Sequence, residues 1–200
     1  MRIIGGEAKG RRLYTPGRSS VRPTNDRIKE AFFNIVRDMD GKTFLDLFAG
    51  TGNMGLEALS RGAIKAVFVD QNPVIIDIMS KNIALCRYAD QSEVLAADSF
   101  RAIEKLIERR DAFDIVFADP PYEQGFVIKT LTYLESGLLM ADGGLLAVQH
   151  SIRENAENCE TGRLNLIDRR QYGDTILSFF RKSSIRSKIF LEHDKRFDSS

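Results

Sequence analysis

The chain has only two cysteines, Cys86 and Cys159, and nothing in their spacing pairs them. That excludes a disulfide framework or a cysteine-based metal site, and two reduced thiols are expected. Long apolar runs are also missing. No stretch approaches about 18 apolar residues, and the N-terminus lacks the apolar core of a signal peptide. A soluble, cytoplasmic protein with no membrane partner and no metal is expected. Charge of one sign is scarce, because 29 Lys and Arg face 28 Asp and Glu for a net +1. A wholesale polycation is excluded, although local patches matter more than the sum for nucleic-acid binding. There is no internal repeat and no low-complexity linker. The 200 residues, 43% apolar, fit one domain with a substantial core and a small appendage.

The charge that is present is uneven. Residues 1–42 hold ten Lys and Arg against five acids, about +5 by count, so the rest is slightly acidic. Such a segment is either a solvated basic arm or a surface for phosphate groups, and charge alone does not separate the two.

Residues 2–5 and 11–14 are short and strand-like, which predicts a small hairpin. Pro23-Thr24 then introduces a helix with Thr24 or Asn25 as N-cap. Its apolar stripe is Ile28, Ala31, Phe32, Ile35, Val36 and Met39, with Arg27 and Lys29 off the stripe. From Thr43 onward, apolar strands at 43–48, 65–70, 93–97, 113–118 and 144–149 alternate with helical patterns at 53–61, 73–86, 99–109 and 125–136. Pro73 suits a helix start, and Gly62 and Gly137 suit helix ends. The alternation implies a parallel sheet covered by helices. Two further strands, 164–171 and 175–181, flank a turn at Tyr172-Gly173-Asp174 and close the sheet as an antiparallel hairpin. The expected architecture is a Rossmann-like α/β fold with a mostly parallel seven-stranded sheet. Residues 1–42 form an N-terminal appendage, 43–182 the main domain and 183–200 a tail.

Phe44 to Gly55 reads as a buried strand, a glycine turn and a helix start. Gly50-Thr51-Gly52-Asn53-Met54-Gly55 matches G-x-G-x-x-G, which alone is a weak sign of dinucleotide binding. Asp46 before that turn opposes a phosphate ligand, and no second domain is available for hydride chemistry. Asp46, Asp70, Asp98 and Asp119 end four successive strands, where open α/β sheets bind ligands. Four acids on one edge suit a cation or a metal rather than a pyrophosphate. S-adenosylmethionine meets this requirement with a sulfonium charge, a ribose diol and no phosphate. Asp70 is placed to take ribose hydroxyls. Asp98 with Ser99 is placed to meet the adenine amine, and equally to cap the next helix.

Asp119-Pro120-Pro121-Tyr122 follows the buried strand Phe113–Ala118. Two prolines after a strand make a rigid turn in any case. They also suit a definite reaction. The exocyclic amine of a base is a poor nucleophile because its lone pair is delocalised into the ring. Asp119 and the Pro120 carbonyl can accept the amine's hydrogens and aim the lone pair at the methyl group. Pro121 helps fix the carbonyl, and Tyr122 offers a face for stacking the base.

Together, Asp-Pro-Pro-Tyr and Leu45-Asp46-Leu47-Phe48-Ala49-Gly50-Thr51-Gly52 resemble the class I S-adenosylmethionine-dependent amino-methyltransferases. Upstream, Arg22-Pro23-Thr24-Asn25-Asp26-Arg27-Ile28-Lys29-Glu30-Ala31-Phe32-Phe33-Asn34 resembles the RsmD family of bacterial 16S ribosomal RNA guanine-N2 methyltransferases. The resemblance runs from about Met1 to Lys182. It implies a monomer that methylates one guanine, position 966 in conventional numbering, in the RNA of the small ribosomal subunit. The catalytic set it implies is Asp119, Pro120, Pro121 and Tyr122. The cofactor set is Asp46, Phe48, Ala49, Gly50, Gly52, Asn53, Asp70, Gln71, Asp98, Ser99 and Asp119. Arg11, Arg12, Arg22, Thr24, Arg27 and Tyr122 are the expected RNA contacts, and Asn34 an orienting residue. The fifth strand ends in Gln149-His150 where members of the family often carry a glutamate, so it is given no catalytic role. Residues 183–200 extend past the family's usual end.

Two rivals remain. A DNA adenine-N6 methyltransferase shares Asp-Pro-Pro-Tyr but needs a target-recognition segment, and one helix after Tyr122 leaves no room for it. A non-catalytic RNA-binding assembly factor would not need an intact cofactor turn and Asp119. His150 as a general base is set against a structural histidine at a strand end, and His193 falls in the tail.

Overall fold

The alternation of apolar strands and amphipathic helices produces the expected sheet. A computed structural model describes residues 1–17, 26–136, 138–154, 156 and 164–182. Its strands are β1 (Thr43–Asp46), β2 (Lys65–Asp70), β3 (Ser92–Ala96), β4 (Phe113–Ala118), β5 (Met140–Ser151), β6 (Leu164–Tyr172) and β7 (Thr175–Lys182). The helices are α1 (Asp26–Val36), α2 (Asn53–Ser60), α3 (Pro73–Cys86), α4 (Ser99–Glu108) and α5 (Phe126–Leu134). One seven-stranded sheet runs in the order β3-β2-β1-β4-β5-β7-β6. The first five are mutually parallel and β7 is antiparallel to both neighbours. This is the mostly parallel Rossmann-like sheet with an antiparallel terminal hairpin.

Successive strand residues point to opposite faces, so each central strand feeds two cores. Phe44, Phe68 and Phe117 join Phe32, Leu56 and Met79 on one face. Leu45, Val67 and Val116 join Phe100, Leu106 and Leu131 on the other. Phe32 of α1 is fully buried, with its ring 5.3 Å from that of Phe117 and 6.2 Å from those of Phe44 and Phe179. The helix assigned to the N-terminal appendage thus shares the core of the sheet.

The small N-terminal hairpin forms around one antiparallel bridge, Arg2 to Arg12, with the Ile3 N–H on the Arg11 carbonyl and the Leu13 N–H on that of Met1. Other backbone groups there tie it to the main domain: the Ile4 N–H donates to Glu57, Glu7 and Ala8 to Ser60, and Tyr14 to Asn82. Two expectations change. Strand β5 begins at Met140 rather than 144, with a register shift between Phe113 and Ile115. Gly143, at φ 74, permits that irregularity, and Asp142-Gly143-Gly144 hides the strand from an apolar pattern. Finally, Lys29 is fully buried in α1 and not turned outward with Arg27. The proposed N-cap at Thr24 or Asn25, Gly137, Cys159, His193 and the tail 183–200 lie outside the described residues.

Candidate active site

The glycine turn follows β1 directly. Gly52, at φ 83, is the N-cap of α2 in a conformation that side chains rarely adopt. A Cβ on Gly55 would come within 2.3 Å of the Phe68 ring, so only glycine lets α2 settle on β2. The Leu47 N–H donates to the Phe117 carbonyl and the Ala49 N–H to that of Val69, which ties the turn to both neighbouring strands.

Asp46, Asp70, Asp98 and Asp119 stand at or just past the ends of β1, β2, β3 and β4, on one edge of the sheet. Their surroundings give them different work. Asp46 is 1% exposed, and its Oδ2 accepts from the Gly55 N–H at 3.2 Å. Its Oδ1 is buried without a hydrogen-bond partner. Burial, then the charges of Asp119 and Asp70, push this carboxyl up to about 8 against the pull of the Gly55 N–H. Asp70 accepts from the Gly50 N–H at 3.0 Å and the Asn72 N–H at 2.8 Å. Burial raises its carboxyl too, and those backbone donors oppose the rise. Asp98 caps α4, accepting from Phe100 at 3.0 Å and Arg101 at 3.4 Å, while Ser99 Oγ donates to the Leu47 carbonyl at 2.6 Å. Asp98 thus caps α4, whereas Ser99 ties the start of that helix to the end of β1, and both still line the cavity described next.

A cavity of about 490 Å³ opens at this edge. Of the expected cofactor residues, Phe48, Ala49, Gly50, Asn53, Asp70, Gln71, Asp98, Ser99 and Asp119 line it. Pro120, Pro121 and Tyr122 line it as well, so the glycine turn and the Asp-Pro-Pro-Tyr turn share one space. Asp46, behind the turn, and Gly52, within it, are not in the wall. Met1, Thr51, Val69, Asn72, Ile75 and Phe126 complete the lining without having been expected. The size suits a drug-sized ligand. A wall bearing three carboxylates, backed by the buried and orphaned amide Nδ2 of Asn53, suits a cationic molecule that also carries acceptor groups.

Strand β5 reaches the site after all. Gln149 Nε2 donates to the Tyr122 hydroxyl at 2.8 Å, and Ser151 Oγ donates to Glu123 at 3.2 Å. Glu123 follows Tyr122 at φ 59, a left-handed conformation that this contact helps to hold. His150 is fully buried, with Nδ1 on the Ser151 carbonyl and Nε2 on Ser178 Oγ, both at 2.9 Å. Burial lowers its basicity. A neutral ring donating from Nδ1 satisfies both contacts, which makes His150 structural. Among the expected RNA residues, Arg12 and Arg27 are exposed, Arg11 donates to the Leu85 carbonyl, and Arg22 and Thr24 lie outside the described residues. Asn34 is exposed on α1 and does not line the cavity. Among the described residues no group of three or more His, Cys, Asp or Glu is arranged to hold a metal ion. No helix there is long and apolar enough to cross a membrane.

A doubly wound sheet in this order, with an acid-edged cavity between a glycine turn and Asp-Pro-Pro-Tyr, defines a class I methyltransferase. A family model described as Conserved hypothetical protein 95 matches residues 1–181. A provisionally named rRNA methyltransferase of Bacillus subtilis, YlbH, is 34% identical over 184 residues, spanning 91% of this chain and 99% of the relative. The ribosomal RNA small subunit methyltransferase D of Escherichia coli K12 is 35% identical over 154 residues, 76% of this chain and 75% of the relative. Among solved structures, a provisionally named Escherichia coli methyltransferase, yhhF, matches with a TM-score of 0.77 at 29% identity, covering 92% of this chain and 98% of that one. The chain belongs to this family, the RsmD family, and is an enzyme.

Proposed function

We propose that the protein transfers a methyl group from S-adenosylmethionine to the exocyclic N2 of a guanine in 16S ribosomal RNA, at position 966 in conventional numbering. The observation that carries this reading is the cavity shared by the glycine turn and Asp119-Pro120-Pro121-Tyr122. The names of the relatives support ribosomal RNA of the small subunit as the substrate. Such a substrate implies the cytoplasm as the compartment.

The bound cofactor supplies an electrophilic methyl carbon on a positively charged sulfur. Asp70 and Gln71 are placed for its ribose and Asp98 for its adenine. The carboxylates of Asp70 and Asp119 favour its positive charge. Tyr122, held by Gln149, offers its face to the flipped guanine. Asp119 and the Pro120 carbonyl accept the hydrogens of the guanine amine and turn its lone pair toward the methyl carbon. With the cofactor bound, its sulfonium would give the methyl group to the amine nitrogen and leave as a neutral thioether, and the surplus amine proton would pass to solvent. The exposed Arg12 and Arg27 and the basic segment 1–42 supply phosphate contacts.

Labelled-methyl transfer tests this reading. Small subunits and naked 16S RNA from a strain lacking the enzyme should both be offered, with duplex DNA as control. Incorporation into either ribosomal substrate and none into DNA is expected. Incorporation into DNA would support the adenine methylase instead, and none into any substrate the assembly factor.

A further inference from the structure

Among the described residues, the most buried charges lie beside the cavity rather than in it. Lys29 of α1 and Glu57 of α2 are both 0% exposed, and Lys29 Nζ lies 3.2 Å from Glu57 Oε2. Lys29 also donates to Asn53 Oδ1 at 2.8 Å and to the Arg2 carbonyl at 2.6 Å. Its three hydrogens thus meet three acceptors on two segments, α2 and the N-terminal strand-like stretch. Glu57 is filled in turn by the Ile4 N–H at 2.8 Å and by Arg61 Nε at 2.8 Å. Burying such a pair is costly and contributes little net stability over apolar residues of similar volume. A second use for it is therefore worth seeking.

Asn53 supplies that use. It is 4% exposed, opens α2 and lines the cavity. With Oδ1 held by Lys29, only Nδ2 is left to serve a ligand, and Nδ2 has no hydrogen-bond partner. An orphaned buried donor on a residue that lines a cavity marks a place where an acceptor is missing. The other polar features of the wall say which acceptor. Asp70, Asp98 and Asp119 repel a carboxylate. Asn53 stands at a helix N-terminus, which attracts one. Because Glu57 neutralises Lys29, the cavity feels an oriented amide and not a bare ammonium.

We propose that Lys29 is a positioning residue. It fixes the Asn53 side chain so that Nδ2 donates to the amino-acid carboxylate of the methyl donor. This rests on the reading of the cavity as a site for S-adenosylmethionine. Through the Arg2 carbonyl and the Ile4 N–H, the same buried pair seats the N-terminal segment. The orientation of Asn53 and the docking of that segment are thereby set together.

Calorimetry with two ligands tests the assignment. S-adenosylhomocysteine carries the carboxylate, and 5′-methylthioadenosine lacks the amino-acid end. Lys29→Met and Asn53→Ala should each weaken S-adenosylhomocysteine by about tenfold, as expected for a lost hydrogen bond to a charged group. Methylthioadenosine should stay within about twofold. Combining the two substitutions should cost no more than Asn53→Ala alone, because Lys29 acts through Asn53. If Lys29→Met, which leaves Glu57 with Arg61 as its one cationic partner named above, does not fold, Lys29→Met/Glu57→Gln takes its place. Equal weakening of both ligands, losses that add, or no change in either would overturn the proposal. Failure of the unaltered protein to bind S-adenosylhomocysteine would instead overturn the cofactor reading beneath it.

Discussion

Gln149 and Tyr122, 27 residues apart in sequence, are joined by a hydrogen bond of 2.8 Å that links the end of β5 to the Asp-Pro-Pro-Tyr turn. With Ser151 on Glu123, β5 braces two successive residues of that turn. The bond fixes the tilt of the Tyr122 ring, the face proposed above for the target base.

Gln149→Leu removes this brace and keeps the volume. One hydrogen bond is worth about 1 kcal/mol, so kcat/KM for RNA should fall roughly five- to tenfold. Affinity for S-adenosylhomocysteine should not change. Steady-state kinetics beside calorimetry checks both, and a loss confined to the cofactor would move Gln149 to the other half of the site.

Asp119→Ala should lower turnover by at least about a hundredfold, the scale of losing one preorganised polar partner in a transition state. Cofactor affinity should persist, because Asp70, Gln71 and the glycine turn remain. Calorimetry showing cofactor affinity lost together with turnover would contradict the role given to Asp119.

The Asp46 carboxyl, raised from 3.8 to about 8, makes a pH prediction. The folded state holds a proton there that the unfolded chain gives up at lower pH. The contribution to stability is full below about 3.8 and is lost as pH rises through about 8. Asp46→Asn mimics the protonated form and can still accept from the Gly55 N–H. Its melting temperature should exceed the native one by a margin that grows up to about pH 8 and then levels off. A margin that is flat with pH would show that Asp46 is ionised at neutrality in the fold.

Neutralising Arg12 and Arg27 should weaken RNA binding and flatten its salt dependence. Each arginine that no longer meets a phosphate lowers the slope of log K against log salt by about 0.7 to 0.9. Filter binding across salt concentrations gives that slope, and an unchanged value would remove these arginines from the RNA surface.

The sheet was legible because it is written locally: apolar runs of strand length, glycine turns and strand-end acids lie within a few residues of each other. The same holds for the turn at Gly173, where β6 and β7 meet as expected. What stayed hidden depends on partners distant in sequence. Nothing near Lys29 announces Glu57, and a lysine beside an apolar helix stripe looks solvated until its carboxylate is in place. Gln149 carried one signal, its position at a strand end, but its partner Tyr122 lies beyond a helix. The role of Asp46 was half legible. Its place before the turn was plain, whereas its burial behind the turn follows from how α2 settles over β1 and β2.

Nucleoside analysis of the methylated RNA identifies which amine receives the methyl group. Small-subunit RNA from a strain lacking the enzyme is treated with the protein and labelled cofactor, digested to nucleosides and resolved. The label should run with N2-methylguanosine and be absent when Asp119→Ala replaces the native chain. Label in N6-methyladenosine, or N2-methylguanosine formed equally well by Asp119→Ala, would contradict the account.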